Sequence, residues 1–224
     1  GVVLRVNSGG GTATAGEEMA AYVRDFSKPI TVSSASLNAS AAYEISSQAD
    51  YIYVAHTTDI GSIGTVMQTI DYSGLLDLLG IKVDNIASAE SKDSTYGSRP
   101  LTDEERAYYQ DQIDQVNRVF VQNVAQGRGM TVDAVDALAT GLTFTGDEAV
   151  ENGLADAVGS REDAVKKAAE LAGVGDNYHT TTLALPDDSL ADMLGLSSST
   201  HQSDGALALA AAIKELTRND GTAD

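Results

Sequence analysis

The sequence predicts an α/β fold. Short apolar runs of strand type recur through its first half, stretches with apolar residues at helical spacing alternate with them, and Gly-rich or polar turns separate the two. The first run, Val2-Val3-Leu4-Arg5-Val6, ends in the turn Asn7-Ser8-Gly9-Gly10-Gly11-Thr12. A helix follows from Ala15 to Phe26, with Met19, Ala20, Tyr22 and Val23 on one face. Pro29-Ile30-Thr31-Val32-Ser33 reads as the second strand, Ala39 to Ala49 as an Ala-rich helix, and Tyr51-Ile52-Tyr53-Val54 as the third strand.

The same rhythm predicts strands at Thr65 to Asp71 and Ile81 to Ala87 on either side of a short Leu-rich helix, Ser73 to Leu79, and then a polar loop from Ser88 to Pro100. Thr102 with Glu105 three positions later forms a capping box, in which each side chain satisfies a free backbone N–H of the other, and so starts a long helix to about Gln126. Short helices at Val132 to Ala139 and Asp147 to Asn152 flank the strand-like Leu142-Thr143-Phe144. The last clear helix, Arg161 to Leu171, is stopped by Gly173 and Gly175.

The chain has 224 residues, which suits one domain of ordinary size, typically ~100 to 200 residues. That domain is expected over residues 1–175. From Asp176 to the end Ser, Thr and Asp dominate, and residues 176–224 read as a tail or appendage with an amphipathic stretch from Ala206 to Leu216. Gly1 opens directly onto a strand, so an upstream part is expected.

Lys and Arg total 14 against 33 Asp and Glu, a formal net charge of -19. A field of that sign repels phosphate backbones and anionic headgroups, which argues against a nucleic-acid partner. With no cysteine there is no disulfide, no thiol nucleophile and no cysteine metal site. No stretch of ~18 apolar residues and no signal-peptide pattern occurs.

Gly9-Gly10-Gly11 stands between a strand and a helix, where backbone N–H groups are free to meet a phosphate or an oxyanion. It lacks both nucleotide-binding Gly fingerprints, and a plain turn fits it as well. Ser40 lies at the next strand-to-helix junction among Ala39, Ala41 and Ala42, either as a helix cap or as a nucleophile. A serine nucleophile needs a base. His56, His179 and His201 form no persuasive triad, and of the two lysines between Ser40 and the long helix, Lys92 lies in the polar loop while Lys82 begins an apolar run. For Lys92 to accept a proton near neutral pH its pKa must fall from ~10.4 by roughly 3 pH units through burial, so an exposed Lys92 defeats the mechanism.

Val3 to Gly11, Ala39-Ser40-Ala41-Ala42-Tyr43, Gly61-Ser62-Ile63-Gly64, and Thr145 to Ala149 with Gly153-Leu154-Ala155-Asp156 resemble the signal peptide peptidase A family in order and spacing, over about residues 1 to 175. The resemblance implies a Clp protease/crotonase-like α/β fold, a spiral of β-β-α units, and ring-shaped homo-oligomers. It implies Ser40 as nucleophile, Lys92 as general base, Ser62 as the hydroxyl that orients Lys92, and the N–H groups of Gly11 and Ala41 as the oxyanion hole. No metal or organic cofactor is implied. Peptide substrates such as cleaved signal peptides, and an upstream membrane anchor with the catalytic part outside the cytoplasm, are further expectations from the family.

Two departures stand out: Gly9 where the family has Pro, and Ala41-Ala42 where it has Gly-Gly. Neither removes a backbone N–H, so an active enzyme is still expected. A crotonase-like acyl-CoA enzyme, a structural ring subunit with a degenerate site, and a phage-type capsid maturation peptidase remain open alternatives.

Overall fold

Strand β2 (Ile30–Ala39) organises the sheet because both of its edges are taken, and its first five residues are buried. The computed structural model describes residues 1–183; the expected amphipathic stretch 206–216 lies outside the described residues. Along one edge β1 (Val2–Ser8) pairs in parallel, from Val2 opposite Ile30 to Ser8 opposite Asn38, with a register shift between Val6 and Ser8.

Two strands share the other edge end to end. β3 (Tyr51–Val54) pairs with Thr31–Ser33 and β4 (Asp59–Gly61) with Leu37–Ala39, both in parallel. Thr58 bridges the gap between them: its Oγ1 donates to the Ala35 carbonyl at 2.7 Å and accepts from the Ala55 N–H at 2.9 Å. Beyond β4 the sheet continues with β5 (Thr143–Phe144), antiparallel, and beyond β3 with β6 (Ala157–Val158), parallel.

Side chains alternate across β2 as a strand requires. Ile30 and Val32 join the hydrophobic core with Val23 of α1 (Ala13–Arg24), Tyr43 of α2 (Ala41–Ser46) and Phe120, Val121 and Val124 of α4 (Asp103–Arg128). Thr31, between them, faces α7 (Arg161–Leu171), where its hydroxyl donates to the Ala164 carbonyl at 2.9 Å. The small residues Ala164, Ala168 and Ala169 let α7 lie close to the sheet.

The α/β class is the one the sequence predicts, and most elements stand where expected. α4 opens on the capping box of Thr102 and Glu105. α5 (Val132–Asp136) and α6 (Gly146–Glu151) are the two short helices, and α6 carries a second capping box from Thr145 and Glu148. α3 (Ser73–Leu78) is the Leu-rich helix.

The stretches 65–71 and 81–87 are not strands. Their apolar residues face outward, with Ile70 65% and Ile86 99% exposed, and no strand among the described residues lies beside them to complete a ladder. α3 between them has no buried residue. Apolar pattern predicts burial but does not supply the partner, and a strand without one leaves its backbone groups unpaired.

Tyr43 ties α2 to the far side of the core: it is fully buried, and its hydroxyl donates to the Leu154 carbonyl at 2.9 Å. Tyr43→Phe leaves that buried carbonyl without its donor, a loss of about 1–3 kcal/mol. Urea unfolding is expected to show a lower midpoint with an unchanged slope; an unchanged midpoint contradicts the assignment.

Candidate active site

The turn from β2 into α2 forces Ser40 into a backbone conformation that L-residues avoid, φ 53 and ψ -132. Such a conformation persists only when its surroundings impose it, and sharp strand-to-helix turns of this kind present a side chain outward from the sheet end. Three contacts impose it here. The Ser40 N–H donates to the Gly61 carbonyl at 2.7 Å, so β4 holds the turn from one side. The Ser40 carbonyl accepts from Tyr43 and Glu44 N–H at 2.8 and 3.0 Å, which fixes the first turn of α2. On the third side Gly10, at φ 106, lies so close that a Cβ there would meet the Ser40 Cβ at 2.8 Å and the Ala41 nitrogen at 2.9 Å. The Ser40 side chain makes no cap hydrogen bond to α2, so the helix-cap reading of this serine does not hold.

Gly11, Ser40 and Ala41 line one open cavity of about 300 Å³. Ala41 is the first residue of α2, so its N–H has no acceptor within the helix. The cavity is closed on its other sides by the start of α1 (Thr12, Ala13, Thr14), by Gly64-Thr65-Val66, and by an apolar wall from α4, Val116, Val119 and Phe120. Of the residues expected at the site, these three are brought together.

Ser62 follows directly on Gly61, whose carbonyl holds Ser40, and it too has a positive φ, 49. Its hydroxyl donates to the Gly141 carbonyl at 2.9 Å, which leaves its lone pairs for an incoming donor. Lys92 stands apart: it is exposed, sits on a 3-10 turn at Glu90–Asp93, and is not among the residues that line the Ser40 cavity.

That turn is nevertheless fixed. Arg99 joins Asp93, at 2.8 Å through Nη2, to Glu105, whose two carboxylate oxygens it meets at 2.8 and 2.9 Å. Ser94 and Tyr109 pair their hydroxyls at 2.6 Å. Glu105 is buried, and the Arg99 guanidinium first, then the Thr102 N–H, hold its carboxyl down to about 2. The Lys92 turn is therefore tied to the first turn of α4 by an ionised, bidentate contact.

Sequence reasoning passes over Arg99 and Glu105 as partners, because the capping box alone accounts for Glu105. It also passes over Glu44, which lines the Ser40 cavity together with Glu17. Glu44 lies four residues after Ser40, so helical spacing alone puts both on one side of α2.

Comparison with known proteins gives consistent results. The family model described as Peptidase family S49 matches residues 23–175. A putative protease of Methanocaldococcus jannaschii is 40% identical over 176 residues, which are 78% of this chain and 57% of that protein. Protease 4 of Salmonella typhi is 38% identical over 176 residues, 76% of this chain and 28% of that protein. The chain thus spans about half the length, or less, of the relatives it matches. Among solved structures, a point mutant of ClpP1 from Listeria monocytogenes aligns with a TM-score of 0.47 at 14% identity, over 73% of this chain and 76% of that one.

The strain at Ser40 has a measurable consequence. Ser40→Gly and Ser40→Ala both remove the hydroxyl, but only glycine is at ease at a φ of 53. Ser40→Gly is expected to be more stable than Ser40→Ala by about 1 kcal/mol or more in urea unfolding, the lower end of the usual cost of such backbone strain. An equal or lower stability contradicts the imposed conformation.

Proposed function

The chain belongs to peptidase family S49, and on that footing we propose that it is a serine endopeptidase in which Ser40 is the nucleophile and Lys92 the general base. The single observation that carries the reading is the strained turn that aims Ser40 into a cavity it shares with Gly11 and Ala41. A structural serine has no use for that strain, whereas a nucleophile needs a fixed, outward hydroxyl.

In the proposed reaction the Ser40 Oγ attacks the scissile carbonyl carbon while its proton passes to the neutral Lys92 Nζ. The carbonyl oxygen becomes an oxyanion and is held by the N–H groups of Gly11 and Ala41. As the C–N bond breaks, the Lys92 ammonium returns the proton to the leaving amine, and an acyl ester remains on Ser40. Water then attacks the ester, with Lys92 taking its proton, and Ser40 is restored. Ser62, with its lone pairs free, accepts a hydrogen bond from Lys92 and orients it.

Lys92 is exposed in the single chain, so this chemistry requires that something dry it. The segment 65–101 that carries it is the most apolar exposed part of the described residues: Val66 is 88%, Leu78 82% and Ile86 99% exposed. Val66 also lines the Ser40 cavity, so segment and cavity are contiguous. Packing of this segment against further copies of the chain, in the ring-shaped homo-oligomer that the family resemblance implies, is the proposed step that buries Lys92 beside a Ser40.

The proposed substrates are peptides, and by the same resemblance remnants of signal peptides. An upstream membrane anchor and an extracytoplasmic catalytic part are proposed on that ground alone; among the described residues no helix is long and apolar enough to cross a membrane. The acyl-CoA alternative has no use for a strained serine hydroxyl at the cavity.

The test is hydrolysis of a peptide library by the wild type, Ser40→Ala and Lys92→Ala, each checked for folding and for assembly state. Each variant is expected to lose activity by roughly a thousandfold or more, since members of one catalytic unit fail together. Activity that survives in folded, assembled Lys92→Ala contradicts the proposed base.

A further inference from the structure

The Ser40 cavity contains charge that the proposed dyad does not use. Glu44 is one of its wall residues and is only 3% exposed. Its Oε1 accepts from the Asn123 side-chain amide at 2.8 Å, while its Oε2 has no hydrogen-bond donor among the described residues. Gly16 of α1 makes the room: a Cβ there would come within 2.8 Å of Glu44 Oε2 and 2.9 Å of the Ala41 Cβ. Helices α1 and α2 thus approach closely around a carboxylate, where an apolar side chain would have filled the same space without cost.

Glu17, also on α1, lines the same cavity, and none of the cavity residues is Lys, Arg or His. Burial pushes the Glu44 carboxyl up from its ordinary value, the Asn123 amide draws it back in part, and Glu17 pushes it up again. A carboxylate withdrawn from water is costly unless a cation joins it or a proton neutralises it. The lining of the cavity brings no cation to this one, yet leaves it facing an opening beside a reactive serine.

We infer that Glu44 is a specificity-determining residue of a subsite beside Ser40 that receives a cationic group of the peptide, with Glu17 adding a second negative charge at the rim. The group is an ammonium or guanidinium, from a lysine or arginine side chain or from a free amino terminus. The α4 wall of Val116, Val119 and Phe120 suits the methylene stem of such a side chain while its head meets Glu44. The inference rests on the reading that the Ser40 cavity holds a peptide, and it goes beyond that reading by naming what the peptide carries.

The experiment uses the full chain with Ser40→Ala, so that binding is measured without turnover. Calorimetry compares peptide pairs that differ only in charge: lysine against norleucine, arginine against citrulline, a free against an acetylated amino terminus. The cationic member of at least one pair is expected to bind roughly 10- to 100-fold more tightly, as suits a charge-assisted hydrogen bond in a partly dry site. Which pair shows the preference identifies the source of the cation.

Glu44→Gln in the same background is expected to bring that ratio to near one, and Glu17→Gln to lower it by less. Equal binding within every pair overturns the inference, and so does a preference that survives in folded Glu44→Gln. Should Glu44→Gln fail to fold, the ratios measured with Glu44 in place still decide. Hydrolysis by the intact chain separates the two claims. A cationic preference without any hydrolysis sinks the peptidase reading and leaves the subsite standing. Hydrolysis without the preference does the reverse.

Discussion

The backbone of Ser40 is held where an L-residue does not rest, and the parts of the site are arranged around that fact. β4 grips its N–H through the Gly61 carbonyl, α2 begins on its own carbonyl, and Gly10 is pressed against its Cβ. Each of these contacts comes from a different part of the chain, and β2 joins them: β1, which leads to Gly10, and β4, which ends in Gly61, lie on its two edges and both reach its C-terminal end. Once those three are fixed, Ala41 must open a helix, and Gly11 and Ser62 must lie on either side of the serine. The cavity is a by-product of the constraint that shapes the turn.

The second requirement of the proposed reaction, a dry lysine, is met by no contact among the described residues of the single chain. The turn that carries Lys92 is braced by Arg99 and Glu105 against α4, so the backbone at the lysine is fixed before anything covers it. In the proposed assembly the covering falls to the apolar, outward-facing segment around α3, which is too rich in exposed Leu, Ile and Val for an ordinary solvated surface. A base activated only on burial would couple the proposed catalysis to assembly. In the separate chain the lysine stays in contact with water, and the proposed base is not available until that surface is covered.

Much of this was legible in the sequence. The alternation of strand and helix patterns, the capping box at Thr102, the helix Arg161–Leu171 and the strand Tyr51–Val54 all stand where residue pattern alone puts them, because in each the local preference and the tertiary environment agree. Strands β4 and β6, three and two residues long, are held by their partners and carry too little pattern to be read. The stretches 65–71 and 81–87 fail in the opposite way: their apolar residues signal contact, and within one chain that contact reads as a sheet. At the site, Ser40 is legible from its neighbours, whereas its strain, the exposure of Lys92 and the pairing of Gly16 with Glu44 depend on contacts between distant segments. The room for Ala41, where the family has Gly, also becomes visible only here: Gly16 on the facing helix lies so close that a Cβ there would meet the Ala41 Cβ at 2.9 Å.

The most direct test of the central claim is to label the assembled protein with a serine-directed fluorophosphonate and locate the adduct by mass spectrometry. A single modified residue, Ser40, is expected, with labelling that slows sharply in Lys92→Ala. An adduct on another serine, or peptide hydrolysis that continues with Ser40 unlabelled, would contradict it.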